Sequence, residues 1–282
     1  MLAILGGIGA ALAWAGTTLF AAQATRYVDS WSLLATVMTV GLAIALPAAL
    51  ISGVPHHVRG SSLGWLFASG SGNVAGLLLT YRALRIGKIG VVAPITSTEG
   101  AVAAVLAVIA GEHLAGGKAT ALVVVAAGIA LAAHTRNSDP EIRRSDARAA
   151  LLAAAAAFSF GLSLYSTGRV GQALGVAWAA LPPRVVGVTV IAVPLLVMRR
   201  WHIVRAALPF AVAGGIFEVL GFVSYAFGAR HGLAIAAVLA SQFAALSAVA
   251  GYLLYGERLT RLQVLGIGAI VAGVSLLSAV HG

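Results

Sequence analysis

The 282-residue chain is 60% hydrophobic and only 9% charged, and its mean hydropathy is +0.99. This composition excludes an ordinary soluble domain and indicates an integral membrane protein. The formal charge of +10 does not indicate nucleic-acid binding, because the basic residues lie in loops between apolar segments and not on one exposed face. Cysteine is absent, which excludes disulfides, thiolate metal sites and cysteine nucleophiles.

Ten apolar segments follow one another along the chain when a window of about 20 residues is moved across it. They are numbered 1 to 10 and lie at about 2–22, 31–52, 62–82, 88–110, 119–134, 148–168, 176–198, 206–228, 233–255 and 262–280. The alternating ten-residue segments of a membrane β-barrel are not seen. The sequence therefore predicts an all-α polytopic membrane protein with ten transmembrane helices, the first of them a retained helix and not a cleaved signal peptide.

Segment 4 contains Glu99 near the middle of the apolar run Val91–Leu114. A carboxylate at that depth costs several kcal/mol unless it faces a polar cavity, finds a partner or binds a proton, so it is a candidate functional residue. The run closes with Gly111-Glu112-His113-Leu114, and the same closing returns 145 positions later as Gly256-Glu257-Arg258-Leu259.

A shift of 145 residues superposes the two halves of the chain without a gap. Among the matched pairs are Gly16/Gly161, Gly70/Gly215, Gly76/Gly221, Arg85/Arg230, Gly111/Gly256, Glu112/Glu257 and Gly128/Gly273. The match predicts a first five-helix repeat at 1–135, a polar linker at 136–147 and a second repeat at 148–282. Five is an odd number, so the second repeat is inverted in the membrane, as in many secondary transporters whose substrate site lies between the halves.

The duplication carries a family resemblance. The motif that carries the resemblance is Gly256-Glu257-Arg258-Leu259-Thr260, followed by Gln263, Gly266, Gly268 and Gly273-Val274. Over the whole chain, the duplicated sequence resembles the EamA-type ten-helix exporters of the drug/metabolite transporter superfamily. The resemblance implies export of amino acids, other small metabolites or drugs, commonly across the bacterial inner membrane. Relatives often carry Pro where Gly100 follows Glu99, and many keep both termini in the cytoplasm.

The resemblance also implies a central cavity lined by segments 1, 3, 4, 6, 8 and 9. Asn73 in segment 3 and Glu218 in segment 8 are related by the shift of 145, so the halves place polar groups at equivalent depth. Glu99 matches Ala244, so each half supplies one acid. We expect Asn73, Glu99 and Glu218 to bind substrate. Either acid could exchange a proton for substrate or hold a substrate ammonium, and the structural alternative is a carboxylate that only fixes packing.

Arg184 is the one basic residue that the segments place well inside a span, just after Pro182-Pro183. Three interpretations stay open: an ion pair with Glu218 or Glu99, recognition of a substrate carboxylate by the planar guanidinium, or a side chain that reaches the membrane surface because segment 7 begins later. With the two acids, Arg184 would suit a zwitterion.

Aromatic and amide side chains complete the predicted substrate site. Trp14 on segment 1, Tyr165 on segment 6 and Tyr225 on segment 8 are candidates for cavity walls that contact a cation through their ring faces. Gln242 on segment 9 is a candidate hydrogen-bonding residue. For each aromatic residue, helix packing is the alternative role.

The loops that follow odd-numbered segments, with those around Arg200, hold thirteen Lys and Arg residues, and the loops of the opposite side hold four. The positive-inside rule then predicts that both termini lie outside the cytoplasm, opposite to many relatives.

The sequence thus predicts a secondary transporter, not an enzyme, that exports a small metabolite by alternating access, with amino acids as the leading substrate class. Proton-coupled efflux of lipophilic cations is the alternative. The expected partners are a small-molecule substrate and the lipid bilayer, with protons as a further option; no nucleic acid, metal or cofactor is expected, and the protein is expected to be a monomer. No HExxH motif or phosphate-binding Gly-rich loop points to an intramembrane enzyme or an ATP-driven pump.

Overall fold

A computed structural model of the chain describes residues 1–53, 60–109, 124, 127, 140–170, 176–229, 231, 239–240, 242–256 and 261–279. Within these ranges the chain is helical and contains no strand, which confirms the predicted all-α class. The helices are α1 (Leu2–Ala24), α2 (Ser30–Ile51), α3 (Gly60–Ile86), α4 (Ile89–Thr96), α5 (Glu99–Ile109), α6 (Pro140–Val170), α7 (Val176–Ala179), α8 (Leu181–Gly187), a π-helical turn (Val188–Ala192), α9 (Val193–Val197), α10 (Leu208–Ala229), α11 (Phe243–Tyr255) and α12 (Arg261–Ala279).

Five stretches of the described chain are long and apolar enough to cross a membrane, and shorter apolar helices lie at Leu246–Tyr255 and Val264–Gly273. The five are Ile4–Ala24, Ser30–Ile51, Arg144–Ser166, Val176–Val197 and Leu208–Gly228. The chain is therefore a polytopic membrane protein, as predicted. Segment 5, apart from residues 124 and 127, falls outside the described residues, as do the closing Gly111–Leu114 and Glu257-Arg258-Leu259.

Helix packing repeats between the two halves. α1 packs along α10 and α3 packs along α6, and the shift of 145 residues exchanges these two pairs. The same exchange relates the contact of α5 with α6 to that of α11 with α1, and the contact of α2 with α10 to that of α8 with α3. The packing thus follows the duplication that the sequence shows.

Two repeat-related glycines make these close approaches possible. A Cβ added at Gly70 would lie 2.7 Å from the carbonyl oxygen of Pro182, and one added at Gly215 would lie 3.0 Å from the carbonyl oxygen of Val37. Pro182 and Val37 are themselves 145 residues apart. At both crossings only a hydrogen fits between the helices, which is the role of small residues in membrane helix packing.

Segment 4 is not the continuous helix that hydropathy predicts. It breaks at Ser97-Thr98 into α4 and α5, and the hydroxyls of Thr96, Ser97 and Thr98 donate to the carbonyl oxygens of Ala93, Pro94 and Ile95. In the other half a turn at Gln242, 145 residues after Ser97, precedes α11. Discontinuous helices line the substrate sites of transporters with inverted repeats.

Segments 6 and 7 also differ from the prediction. α6 begins at Pro140, inside the stretch that the sequence assigns to a polar linker, because charged side chains do not prevent a helix from continuing beyond the membrane. Segment 7 consists of α7, α8, the π-helical turn and α9, since Pro182 and Pro183 restart the helix and the π-turn inserts one residue.

The basic loops meet at one end of the helix bundle. Arg26 lies over the ring of Tyr255 and Arg82 over the ring of Trp31, at 5.4 and 5.1 Å from the ring centroids. Ser145 donates to the carbonyl oxygen of Ile86 at the same end. The backbone N–H of His202, two residues after Arg200, donates to Oγ of Ser32, so the basic loop of the second half shares this side, which the positive-inside rule predicts to be cytoplasmic.

Asp29 caps α2 at this end. Its carboxylate accepts hydrogen bonds from the backbone N–H groups of Trp31 and Ser32 at 2.9 and 3.0 Å. Burial raises the pKa of Asp29, but the hydrogen bonds from Ser32 and Trp31 outweigh it, so the pKa lies below its ordinary value.

Candidate functional site

A central cavity of about 70 Å³ lies between the two halves. α1, α3, α4, α5 and α6 border it together with α10 and α11. Its lining comprises Trp14, Thr17, Thr18, Asn73, Leu77, Thr80, Tyr81, Thr96, Glu99, Phe160, Ser163, Leu164, Glu218, Phe222 and Phe243. Four of the eight residues predicted to bind substrate, Trp14, Asn73, Glu99 and Glu218, therefore face one cavity.

Glu218 is the centre of a buried polar cluster. Its carboxylate lies 3.3 Å from Nη2 of Arg184, and the two side chains are only 4% and 1% exposed. The carboxylate also accepts hydrogen bonds from the side chains of Trp14 on α1 and Asn73 on α3. The cluster joins the α8 and α10 helices of the second half to the first half, so the predicted equivalence of Asn73 and Glu218 becomes a direct contact.

Arg184 is held in place by shape as well as by charge. Gly41 of α2 leaves room for its stem, because a Cβ there would lie 3.1 Å from Cγ of Arg184. The guanidinium carbon lies 4.8 Å from the ring centroid of Phe222, a cation–π distance. Of the three interpretations of Arg184, the ion pair with Glu218 is observed. A side chain that reaches the membrane surface is excluded, since Arg184 is 1% exposed.

Glu99 begins α5 where segment 4 breaks. The N–H groups of a helix's first turn stabilise negative charge, so the break suits a carboxylate at this depth. Glu99 and Glu218 lie close enough to interact electrostatically across the cavity. Among the described residues, the ion pair of Arg184 and Glu218 is the one formed around this cavity, and no cation is paired with Glu99. The cavity therefore carries one acid more than it carries bases.

Aromatic rings form one wall of the cavity around Trp14. The Trp14 ring lies 6.0 Å from Phe222, 5.9 Å from Tyr225 and 6.2 Å from Phe243, measured between ring centroids. Gly221 makes the approach possible, because any Cβ there would overlap the indole of Trp14. The predicted residue Tyr225 thus contacts the aromatic wall but is not among the residues that line the cavity.

Tyr165 and Gln242 are not brought to the lining of this cavity. The ring of Tyr165 packs edge-on against Trp65, with 5.9 Å between centroids. Gln242 occupies the turn before α11. Whether either residue binds substrate stays a prediction.

Among the lining residues that the sequence did not single out are Thr17, Thr18, Tyr81 and Ser163. Helical spacing offers a signal for three of them, because Thr17 and Thr18 share a face with Trp14, and Tyr81 lies eight residues after Asn73. The hydroxyls of Thr17 and Thr18 donate to their own helix, at the carbonyl oxygens of Ala13 and Trp14. Ser163 donates to the carbonyl oxygen of Ser69 at 2.7 Å and ties α6 to α3.

Several buried polar atoms around the cavity have no hydrogen-bond partner among the described residues. They are Oδ1 of Asn73, Oγ1 of Thr80, the hydroxyl of Tyr81 and the terminal nitrogens of Arg184, whose contact with Glu218 is the ion pair. Each such atom costs about 1–3 kcal/mol when it is left unpaired. A polar molecule in the cavity would satisfy them, and this unmet capacity is typical of a binding site. The described residues contain no cluster of His, Asp and Glu that could hold a metal.

Comparison with known proteins supplies the family and the fold. The sequence profile of the EamA-like transporter family matches residues 1–133 and again 147–279. A solved structure described as "Crystal structure of protein" superposes with a TM-score of 0.67, covers 98% of this chain and 96% of its own, and is 18% identical in sequence. It shows a shared fold. No curated protein matches the chain significantly.

Proposed function

The chain belongs to the EamA-like transporter family, and from this premise we propose that it exports small metabolites, foremost amino acids, by alternating access through the central cavity. Membership makes it an integral membrane transporter of the drug/metabolite transporter superfamily, a class whose members are transporters and not enzymes. We further propose that it acts as a monomer in the bacterial inner membrane.

One observation carries the proposal: the cavity has an acid without a matching base. Arg184 and Glu218 neutralise each other, whereas Glu99 faces the same cavity with no cation paired to it among the described residues. A buried carboxylate needs a cation or a proton. The ammonium group of an amino acid supplies the first, and a coupling proton supplies the second when the substrate has left.

The size of the cavity supports alternating access. At about 70 Å³ the space is far smaller than the roughly 300–1,000 Å³ of ordinary ligand pockets, so the observed state is too narrow to hold a metabolite. Entry of a metabolite then requires the two halves to separate on one side. The breaks at Ser97-Thr98 and Gln242 lie at related positions and offer points where α5 and α11 can tilt.

A second candidate is proton-coupled efflux of lipophilic cations. The observation in its favour is the ring-lined wall, since Trp14, Phe160, Phe222 and Phe243 all border the cavity that Glu99 faces. Aromatic faces attract cations that carry no hydrogen-bond donor. Under this alternative Glu99 would exchange a drug for a proton.

The test is uptake into proteoliposomes that contain the purified full-length protein. Labelled alanine, leucine, phenylalanine and a lipophilic cation are supplied with and without an imposed pH gradient, and empty liposomes serve as the control. We expect saturable amino-acid movement. Movement of the lipophilic cation alone, driven by the pH gradient, would establish the second candidate, and passive movement of all solutes without saturation would indicate a channel.

A further inference from the structure

Asn73 connects the buried ion pair to the central cavity. Its side chain is 5% exposed and lines the cavity from α3. The amide hydrogen-bonds Glu218 on one side, while Oδ1 has no partner among the described residues. One half of the amide is therefore used by the protein and the other half is available to a substrate.

The orientation of this amide follows from the charges around it. A carboxylate only accepts hydrogen bonds, so the Asn73 amide must turn its NH₂ group to Glu218. Arg184, 3.3 Å from Glu218, balances the carboxylate charge within the bundle. With the NH₂ group donating to Glu218, the amide atom that is left without a partner at the cavity is its carbonyl oxygen, an acceptor.

Glu99 is the second cavity group without a described partner that can only accept, since the unpaired hydroxyls of Thr80 and Tyr81 can either donate or accept. Glu99 presents a carboxylate from the start of α5 to the cavity that Asn73 lines from α3. Two groups that can only accept, around a space of about 70 Å³, favour a ligand with several N–H donors. A protonated primary amine has three such donors, a secondary amine has two, and a quaternary ammonium has none.

We propose that Glu99 and Oδ1 of Asn73 form a subsite for a primary or secondary ammonium group. This subsite rejects quaternary ammonium ions. Glu218 and Arg184 are positioning residues that fix the orientation of the Asn73 amide. The inference rests on the proposed function only in taking the cavity as the transport site, and it narrows the substrate class. The aromatic wall cannot supply this discrimination, because cation–π attraction also favours quaternary ions. The unpaired acceptors supply it, since a site built to hydrogen-bond an N–H group rejects analogues that lack it.

The experiment compares matched pairs of compounds in proteoliposomes of the full-length protein. Leucine and phenylalanine are each tested beside their N,N,N-trimethyl derivatives, and phenethylammonium beside trimethylphenethylammonium. We expect uptake of each N–H compound to exceed that of its trimethyl partner by about tenfold or more in kcat/KM.

Three variants assign the effect. Asn73→Leu is close in volume but has no acceptor. It should lower the ratio of kcat/KM between each N–H compound and its trimethyl partner toward one, mainly by raising KM for the N–H compound. Glu218→Gln should also lower it, because glutamine can donate and lets the Asn73 amide turn. Thr18→Val is the matched control: it borders the same cavity, but its hydroxyl already donates to the carbonyl oxygen of Trp14 at 2.9 Å. This variant should keep the wild-type ratio whatever its overall rate.

The outcomes separate this inference from the proposed function. If amino acids and their trimethyl derivatives move equally well, the ammonium subsite is wrong and amino-acid transport stands. If phenethylammonium moves and neither amino acid does, with the N–H preference intact, the subsite stands and the amino-acid function is wrong. If the folded Asn73→Leu variant keeps the wild-type preference for N–H compounds over their trimethyl partners, Asn73 is not part of the subsite.

Discussion

The guanidinium of Arg184 lies 3.3 Å from the carboxylate of Glu218, and neither side chain is more than 4% exposed. Both residues belong to the second half of the chain, whereas Trp14 and Asn73, which hydrogen-bond the same carboxylate, belong to the first. One buried pair thus joins the halves at the point where the central cavity lies. This arrangement ties the stability of the bundle to the geometry of the site.

Removal of one partner of this pair should destabilise the protein strongly. Arg184→Met leaves an uncompensated carboxylate and Glu218→Gln leaves an uncompensated guanidinium, and each should cost about 3–5 kcal/mol of unfolding free energy. The double variant should cost clearly less than the sum of the two. The stability of the wild type, the two single variants and the double variant is measured by thermal unfolding in detergent, followed by the intrinsic fluorescence of the tryptophans. Strictly additive losses would show that the two charges do not stabilise each other.

The repeat-related glycines give a second prediction. Gly70→Ala and Gly215→Ala should each lower the unfolding temperature by several degrees, because the new Cβ meets a backbone carbonyl oxygen of a neighbouring helix that cannot move aside. Gly64→Ala in the same helix as Gly70 is the control, since nothing lies within 4 Å of its Cβ. It should leave stability unchanged or raise it slightly, by up to about 1 kcal/mol. Equal effects at Gly64 and Gly70 would contradict the close crossing.

Hydropathy and the shift of 145 residues predicted the class and the duplication, because both depend on sums over many residues. The breaks could not be predicted this way. A hydropathy window averages over Ser97-Thr98 and sees one apolar run, whereas the chain interrupts its helix there with hydroxyls that donate to the carbonyl oxygens of the preceding turn. A break in a helix depends on single side chains, and the mean hydropathy of a window of about 20 residues does not show them.

The site was predictable in part for a related reason. Burial of a charge in an apolar segment singled out Glu99, Arg184 and Glu218 before any contact was known. Which partner Arg184 takes depends on the relative rotation of α8 and α10, and sequence periodicity does not give this angle. Tyr81 escaped notice because one tyrosine among apolar neighbours is as typical of helix packing as of a cavity, yet its buried hydroxyl has no described partner.

The clustering of basic residues at one end predicts the orientation of the chain. Arg26, Arg82 and the loop at Arg200, whose His202 donates to Ser32, lie with Ser145 at the end that the positive-inside rule assigns to the cytoplasm. A reporter fused after Gly282 should therefore be active only outside the cytoplasm. A reporter fused in the loop after α2 should also be active only outside the cytoplasm, whereas a reporter fused near Lys88 should report a cytoplasmic position. A cytoplasmic signal at Gly282 would overturn the charge count and leave the fold untouched.

The last prediction concerns coupling at Glu99. Glu99→Gln keeps the size of the side chain and its acceptor oxygen but can neither bind a coupling proton nor balance an ammonium charge. We expect this variant to insert and fold normally, to lose most of its substrate exchange, and to lose the response to an imposed pH gradient. Uptake at several external pH values, with the gradient clamped or collapsed by an ionophore, measures the response.

Asp29→Asn is the matched control for Glu99→Gln. It makes the same change from carboxylate to amide, but at the basic end of the bundle, and asparagine caps a helix about as well as aspartate. Its transport and its response to the pH gradient should equal those of the wild type. If Glu99→Gln also keeps its response while Glu218→Gln loses it, the exchangeable charge lies in the ion pair, and Arg184 would have to be released from Glu218 in each transport cycle.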